Sequence, residues 1–267
     1  MKKRKKHIVV NLRKANATVS FSFLLLTAFF AACATPTVSS DDSDGGGNSS
    51  SSAEQKESFF NSDIDYGTMT DGRDGQVYRT VKVGEQTWMA ENLNYESPNS
   101  YCYENNASNC VKYGRLYTWV AAVGETEDAC GYGHECNLDE DVQGICPDGW
   151  HLPANTDWNA LFSNVGGRDD NAGKALRSQT GWAVFHGKNG SRDGNGTDAV
   201  GFRGLPAGRM ITEGDFRYVG EATGFWGSTE YNSDNASCAY LFNGYDHVGW
   251  NGGSYKYEGY YVRCVKD

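Results

Sequence analysis

The sequence predicts an α+β domain in which short helices precede most of the strands. Residues 77–83 and 86–89 have strand character and flank a Gly-Glu pair, the pattern of a β-hairpin. Residues 158–165 carry apolar side chains at the i, i+3, i+4, i+7 spacing of a buried helical face. Beyond Trp182, glycine turns separate aromatic and β-branched runs, which indicates strands. Helices early and strands late favour an α+β arrangement over a doubly wound one.

The first elements after residue 66 are a hairpin and a short helix. Gly84 and Glu85 fit a two-residue turn with glycine first. The segment KYGRLYTWVAAVGE, residues 112–125, places Tyr113, Leu116 and Val120 at helical spacing before Gly124. This spacing predicts one short helix that ends at that glycine.

The segment GWHLPANTDWNAL, residues 149–161, predicts the start of a second helix. Pro153 positions the chain, and Asn155 or Thr156 is expected to cap the helix because Ala154 lacks a side-chain acceptor. Gly166 and the glycine after it end the helix. A further short helix is predicted from Ala172 to about residue 178.

The N-terminus has the pattern of an export signal. Five basic residues within MKKRKK precede the apolar run FSFLLLTAFFAA, which is too short to span a bilayer. The following FAAC resembles the lipobox of bacterial lipoproteins, which implies that residues 1–32 are removed and that Cys33 is lipidated. Ala34 after that cysteine favours the outer membrane over the inner one, and an ordinary cleaved signal peptide is the alternative.

Residues 33–65 are predicted to form a disordered tether rich in Ser, Asp and Gly, with a root-mean-square reach on the order of 30 Å. Removal of the signal peptide takes away seven of the 24 Lys and Arg residues and none of the 34 Asp and Glu residues, which leaves a formal charge of −17. Phosphate backbones repel such a protein, so nucleic acid is not expected as a partner. Membrane attachment is expected through the lipid alone.

Export makes the remaining cysteines candidates for disulfides. Spacing suggests two disulfides that close short loops and one, called the long clamp, that closes a loop of about 118 residues. In the chain-entropy model the long clamp adds roughly 4 to 5 kcal/mol to the free energy of unfolding. Six cysteines allow 15 pairings, so the sequence leaves the connectivity open. The expected pairs are Cys102 with Cys110, Cys130 with Cys136, and Cys146 with Cys264, and Cys238 remains as a free thiol. Zinc at His134, between two of these cysteines, is a less favoured alternative.

Six ordered motifs in residues 66–267 resemble the Fibrobacter succinogenes major paralogous domain. They are DGRDGQVYRTVKVGEQTWMAENLNY, the YCY and KYGRLYTW segments, CPDGWHLPANTDWNAL, GTDAVGFRGLPAGR, FWGSTE and YVRCVKD. The resemblance implies a C-type-lectin-like fold: short helices on a twisted antiparallel sheet, with the termini drawn together. The sugar-binding and calcium-binding triplets of true C-type lectins are absent from the sequence, as is the cysteine pair of formylglycine-generating enzymes, so neither activity carries over.

Chemistry-bearing motifs are few. No Ser-His-Asp pattern, phosphate loop or HExxH motif accompanies the histidines, so an enzyme is the least favoured function. Among the histidines, His151, two residues before Pro153, remains a candidate functional residue. Asp193, Asn195 and Asp198 stand in the glycine-rich loop SRDGNGTD and offer the ligand types that Ca²⁺ prefers. A turn stabilised by Asp and Asn side chains explains the same loop without a metal.

The C-terminal quarter is the best candidate for ligand binding. Residues 240–261 contain eight aromatic side chains, and strand alternation leaves about half of them exposed. Exposed Tyr and Trp rings suit sugars and protein partners. The candidate residues are Tyr245, Trp250, Tyr255 and Tyr257. We therefore expect an anchored recognition or adhesion protein of the cell envelope that binds polysaccharide or another envelope component, and a purely structural envelope protein is the alternative.

Overall fold

The computed structural model describes residues 60–136, 138 and 141–267, which lie in one compact unit. The predicted signal peptide, Cys33 and most of the predicted tether lie outside the described residues. The described helices are α1 Ala107–Tyr113, α2 Trp119–Val123, α3 Glu127–Cys130, α4 Asn155–Asn164 and α5 Ala172–Leu176. The described strands are β1 Gly67–Thr70, β2 Val77–Val83, β3 Gln86–Met89, β4 Ser100–Tyr101, β5 Leu116–Tyr117, β6 Trp150–His151, β7 Phe185–Gly187, β8 Gly190–Arg192, β9 Ala207–Thr212, β10 Asp215–Val219, β11 Ala222–Glu230, β12 Asn235–Phe242, β13 Gly249–Tyr255 and β14 Val265–Lys266.

The first sheet joins the two ends of the domain. Its strand order is β1-β2-β3-β14-β6, and every pair is antiparallel. The predicted hairpin is confirmed as β2 and β3, with Val83 opposite Gln86 across the predicted turn. The C-terminal strand β14 lies between β3 and β6, so the termini of the domain are close together, as the family resemblance implies.

The second sheet is built from the C-terminal half of the domain. Its order is β10-β9-β11-β12-β13, and only the contact between β9 and β11 is parallel. Two small two-stranded sheets, β4 with β5 and β7 with β8, complete the strands of the described residues. Short helices beside mostly antiparallel sheets confirm the predicted α+β class.

The helix predicted within residues 112–125 is wrong in its extent, although a helix does end at Gly124, which has φ of 77°. The chain instead forms the end of α1, the strand β5 and the separate helix α2. Gly114 ends α1 with φ of 80°, and a Cβ atom there would lie 2.6 Å from the Cβ of Asn92. Thr118 then caps α2, because its hydroxyl accepts a hydrogen bond from the Ala121 N–H at 3.4 Å.

Helix α4 confirms the predicted buried face and corrects its cap. Trp158, Leu161 and Phe162 are buried, and the Trp158 ring lies 4.8 Å from the ring of Trp88 on β3. The capping residue is Ala154, so neither Asn155 nor Thr156 is the cap. Its N–H donates to the Asp157 carboxylate at 2.9 Å, so this donor of the cap finds its acceptor within the first turn of the helix.

The structure pairs the cysteines as predicted. The disulfides are Cys102–Cys110, Cys130–Cys136 and Cys146–Cys264, with sequence separations of 8, 6 and 118. Cys238 is the buried free cysteine of the described residues, and burial raises the pKa of its thiol. A buried, protonated thiol behaves as a small apolar side chain.

Contacts with the domain begin within the predicted tether. The Arg203 guanidinium lies 3.9 Å from the ring centroid of Phe60, and Phe60 and Ile64 pack against the core. The predicted boundary at residue 66 therefore falls inside a packed segment. No helix of the described part of the chain is both long and apolar enough to cross a membrane.

Candidate functional site

Three exposed tyrosine rings meet at the end of β13. Tyr255 and Tyr257 stack with ring centroids 5.2 Å apart and ring planes 9° from parallel. Tyr132, from a distant loop, meets both rings edge-on at 6.0 and 5.2 Å. Tyr132 is 49% exposed, Tyr255 42% and Tyr257 39%. We call this surface the tyrosine platform.

A disulfide loop and a carboxylate hold the first of these rings in place. Tyr132 lies in the loop closed by the Cys130–Cys136 disulfide. The Cys136 N–H donates to both carboxylate oxygens of Glu230, at 2.9 Å each. Lys256 Nζ in turn donates to Glu230 Oε1 at 2.5 Å. The loop that carries Tyr132 is therefore joined to the segment that carries the other two tyrosines.

A buried lysine lies beneath the platform. Lys256 is 1% exposed, whereas Tyr255 and Tyr257 on either side of it face solvent. Its ammonium donates to the backbone carbonyl of His134 at 2.6 Å and lies 4.8 Å from the ring centroid of Trp119. A buried charge needs such partners, so this lysine fixes which way its tyrosine neighbours point.

The turn that follows β13 is closed by Glu258. Its N–H donates to the Tyr255 carbonyl at 2.9 Å, and its carboxylate accepts from the Tyr255 N–H at 3.2 Å. Burial raises the pKa of this carboxyl, although the hydroxyl of Tyr260, at 2.8 Å, and the guanidinium of Arg209 oppose the shift. These bonds hold Tyr255 and Tyr257 of the platform in a hydrogen-bonded turn.

Tyr245 lies in a different place, in a groove beside the β7–β8 hairpin. The groove has a volume of about 360 Å³. Its aromatic lining consists of Phe185, Tyr218, Phe242 and Tyr245, and its polar lining includes His186, Glu221 and Asn243. The Tyr245 ring lies 6.4 Å from Phe185 and 5.0 Å from His247, and among the described residues it makes no ring contact with the platform. We call this cavity the Tyr245 groove.

Trp250 packs against the core and is only partly exposed. Its ring lies 5.6 Å from Phe162 and 6.2 Å from Trp158, both on α4. The structure thus brings together two of the four predicted binding residues, Tyr255 and Tyr257, and separates the other two from them.

The predicted calcium loop is engaged by its own chain. Asp193 accepts from the Asn195 N–H at 3.1 Å, and Asn195 accepts from the Trp182 N–H at 3.0 Å. Asp198 is 1% exposed and accepts from the Arg203 N–H at 2.7 Å, and burial raises its pKa to about 6. Within residues 60–136, 138 and 141–267, no three His, Cys, Asp or Glu side chains are grouped to hold a metal. Calcium binding stays a prediction.

His151 connects α4 to the C-terminal residue. Its Nδ1 lies 2.8 Å from Asp267 Oδ1 and its Nε2 lies 3.5 Å from Asp157 Oδ2. The hydrogen bond with Asp157 is the main reason that the pKa of His151 is raised to about 9, and Asp267 adds to it. Asp157 raises the pKa of His151 more than Asp267 does, although it is farther away, because the Asp157 side chain is 21% exposed and that of Asp267 is 60% exposed.

Sequence reasoning missed Tyr132, Glu230 and Lys256. The segment CGYGHEC contains a signal for the first, because a tyrosine inside a short disulfide loop is held at the surface. The pairing of Glu230 with Lys256 joins residues 26 positions apart, and no local pattern marks it.

The whole platform, the groove and the three disulfides lie within the region that matches a known family. The chain matches the model of the Fibrobacter succinogenes major domain over residues 81–266. No curated protein and no solved structure matches the chain significantly. The match covers more than half of the 267 residues and agrees with the resemblance of the sequence motifs. The chain therefore belongs to the Fibrobacter succinogenes major domain family.

Proposed function

We propose that this protein is a cell-envelope lipoprotein whose folded domain recognises polysaccharide through the tyrosine platform. The observation that carries the proposal is the cluster of three exposed rings on a rigid support. Tyrosine combines an apolar ring face with a polar hydroxyl. Such rings cover the apolar C–H face of a sugar ring while their hydroxyls bond to the sugar hydroxyls.

Rigidity favours binding because it lowers the entropy lost when a complex forms. Tyr132 is held by a disulfide loop, and Tyr255 and Tyr257 flank a buried lysine in a hydrogen-bonded turn. The platform rings therefore need little further ordering when a ligand arrives.

Charge narrows the class of ligand. The chain carries a formal charge of −10, and −17 without the predicted signal peptide. A strongly acidic protein repels anionic partners. We accordingly propose neutral or amino-sugar polysaccharides as ligands in preference to sulfated or uronic-acid polymers.

The anchor and the tether complete the proposal. A lipid on Cys33 would hold the chain at the outer membrane, and a tether with a reach on the order of 30 Å would present the domain away from the bilayer. The presence of the first and last strands in one sheet, together with the short helices, supports the C-type-lectin-like arrangement that the family resemblance implies.

A glycan array tests the proposal. The mature chain is expected to bind at least one neutral polysaccharide, and Tyr255→Ala and Tyr257→Ala are each expected to weaken binding by about tenfold or more, as loss of a central aromatic contact does. Tyr231→Ala is the matched control, because Tyr231 is 71% exposed and has no ring contact among the described residues.

Two outcomes would overturn the proposal. Binding that survives both platform substitutions would move the ligand site elsewhere. Failure to bind any glycan would favour the structural role over recognition.

A further inference from the structure

The Tyr245 groove is a preformed cavity distinct from the tyrosine platform. Its volume of about 360 Å³ falls in the range of small-molecule sites. Phe185, on one wall, packs directly over backbone: a Cβ atom at Gly187 or at Gly244 would lie 2.8 Å from its ring. The absence of a side chain at these two glycines therefore leaves the space that the Phe185 ring occupies.

Protein cations already lie against two of the groove's rings. The Arg209 guanidinium is 5.4 Å from the Tyr218 ring centroid, and the Arg192 guanidinium is 5.7 Å from that of Phe185. Arg209 is 3.5 Å from Glu258, and Arg192 is 3.9 Å from Asp246, which also pairs with Arg177 at 3.3 Å. The faces of these two rings therefore already lie against cations of the protein itself.

Glu221 is the carboxylate that lines the groove, and it forms no salt bridge within the described residues. Its backbone is fixed, because its N–H donates to the Tyr218 carbonyl at 3.0 Å and its carbonyl accepts from the Asn243 N–H at 2.9 Å. An unpaired negative charge beside electron-rich ring faces is the arrangement that binds organic ammonium groups.

We propose that the Tyr245 groove binds a small organic cation, a primary or quaternary ammonium group, between its aromatic rings and the Glu221 carboxylate. A neutral ligand would gain from the rings but not from the carboxylate. An anion would meet both Glu221 and the negative charge of the whole chain. The inference does not depend on polysaccharide binding, since the platform shares no residue with the groove.

Choline is the first probe, and 3,3-dimethyl-1-butanol is its neutral control because it has the same shape without the charge. Titration of the mature chain followed by NMR is expected to give a dissociation constant for choline on the order of 1 mM, as for a ligand with few atoms. The dissociation constant of the neutral alcohol is expected to be at least about fivefold higher than that of choline. Ethanolamine, tested in parallel, distinguishes a primary from a quaternary ammonium.

Two substitutions locate the site. Glu221→Gln is expected to weaken choline binding by about fivefold or more, and Tyr245→Ala by a similar factor. Glu213→Gln, at an exposed carboxylate in the turn between β9 and β10, is the matched control and is expected to leave binding unchanged. Because Glu221 is exposed, its substitution tests the charge without threatening the fold.

The proposal would be overturned by equal binding of choline and the neutral alcohol, or by unchanged binding in Glu221→Gln. Absence of binding for both ammonium compounds at about 50 mM would overturn it as well. None of these results bears on the glycan array, so failure of one proposal leaves the other standing.

Discussion

Lys256 shows how one residue determines the direction of its neighbours. Because its ammonium is buried against Glu230, the tyrosines before and after it face solvent. Alternation with period two predicts this exposure for Tyr255 and Tyr257. The same alternation assigns Trp250 to the opposite, inward face, where its ring packs against Phe162 and Trp158. The burial of Lys256 was not predictable, because its partners come from distant segments.

His151 supplies a prediction for stability against pH at the scale of one residue. Its pKa is raised to about 9 in the folded chain, so the stability it contributes is complete below its unfolded pKa of about 6.5 and is lost as the pH rises towards 9. Denaturant unfolding of the wild type and His151→Gln is expected to differ by about 1–2 kcal/mol at pH 6, a value reduced for partial solvation of the pair. The difference is expected to shrink to near zero above the folded pKa.

The control for this prediction is His186→Gln. His186 is exposed on β7 and bonds to the Ser191 hydroxyl at 2.6 Å rather than to a carboxylate. A stability difference for His151→Gln that stays constant between pH 6 and pH 9 would contradict the assignment of this histidine to an ion pair with Asp157 and Asp267.

Elements were predictable where their signals are local. The β2–β3 hairpin has its turn glycine and its strand residues in adjacent positions, and α4 has its apolar side chains at helical spacing. Strand β5 was not predictable, because Leu116 and Tyr117 pair with Tyr101 and Ser100 across an intervening helix. The apparent helical spacing of residues 113–120 arises from three successive elements that each bury apolar side chains.

The disulfide loop over residues 130–136 gives a prediction at the scale of one element. The double variant Cys130→Ser with Cys136→Ser is expected to release Tyr132 from the platform and to weaken glycan binding by about tenfold. The remaining fold is expected to persist, because the loop is short and its closure contributes less than that of the long clamp. Circular dichroism and glycan titration of the same samples measure both effects.

Removal of the other short disulfide is the matched control. Cys102→Ser with Cys110→Ser opens a loop of similar length that carries no platform residue. Equal loss of glycan binding in the two double variants would show that the disulfides act through general stability, not through the position of Tyr132.

At the scale of the whole molecule, the fold brings distant segments together at the tyrosine platform and at the Tyr245 groove, the two surfaces proposed to bind ligands. The Cys146–Cys264 clamp and strand β14 place the end of the domain beside β3, and the second sheet carries Tyr255 of the platform and part of the groove lining. The family and the fold class could be predicted because six motifs and their order are readable in sequence. The division of the aromatic residues between two surfaces could not, since it depends on how loops from different parts of the chain meet.

The most direct test of the central claim is the affinity of the Tyr132→Ala variant for the glycan that the wild-type chain binds best. Tyr132 is distant in sequence from Tyr255 and Tyr257 and meets them only in the folded structure. A loss of affinity in this variant would therefore show that the three rings bind the glycan together, and not that two neighbouring tyrosines are merely exposed. Isothermal titration is expected to show affinity about tenfold lower, with a melting temperature within about 2 °C of the wild type. An affinity equal to that of the wild type would contradict the account.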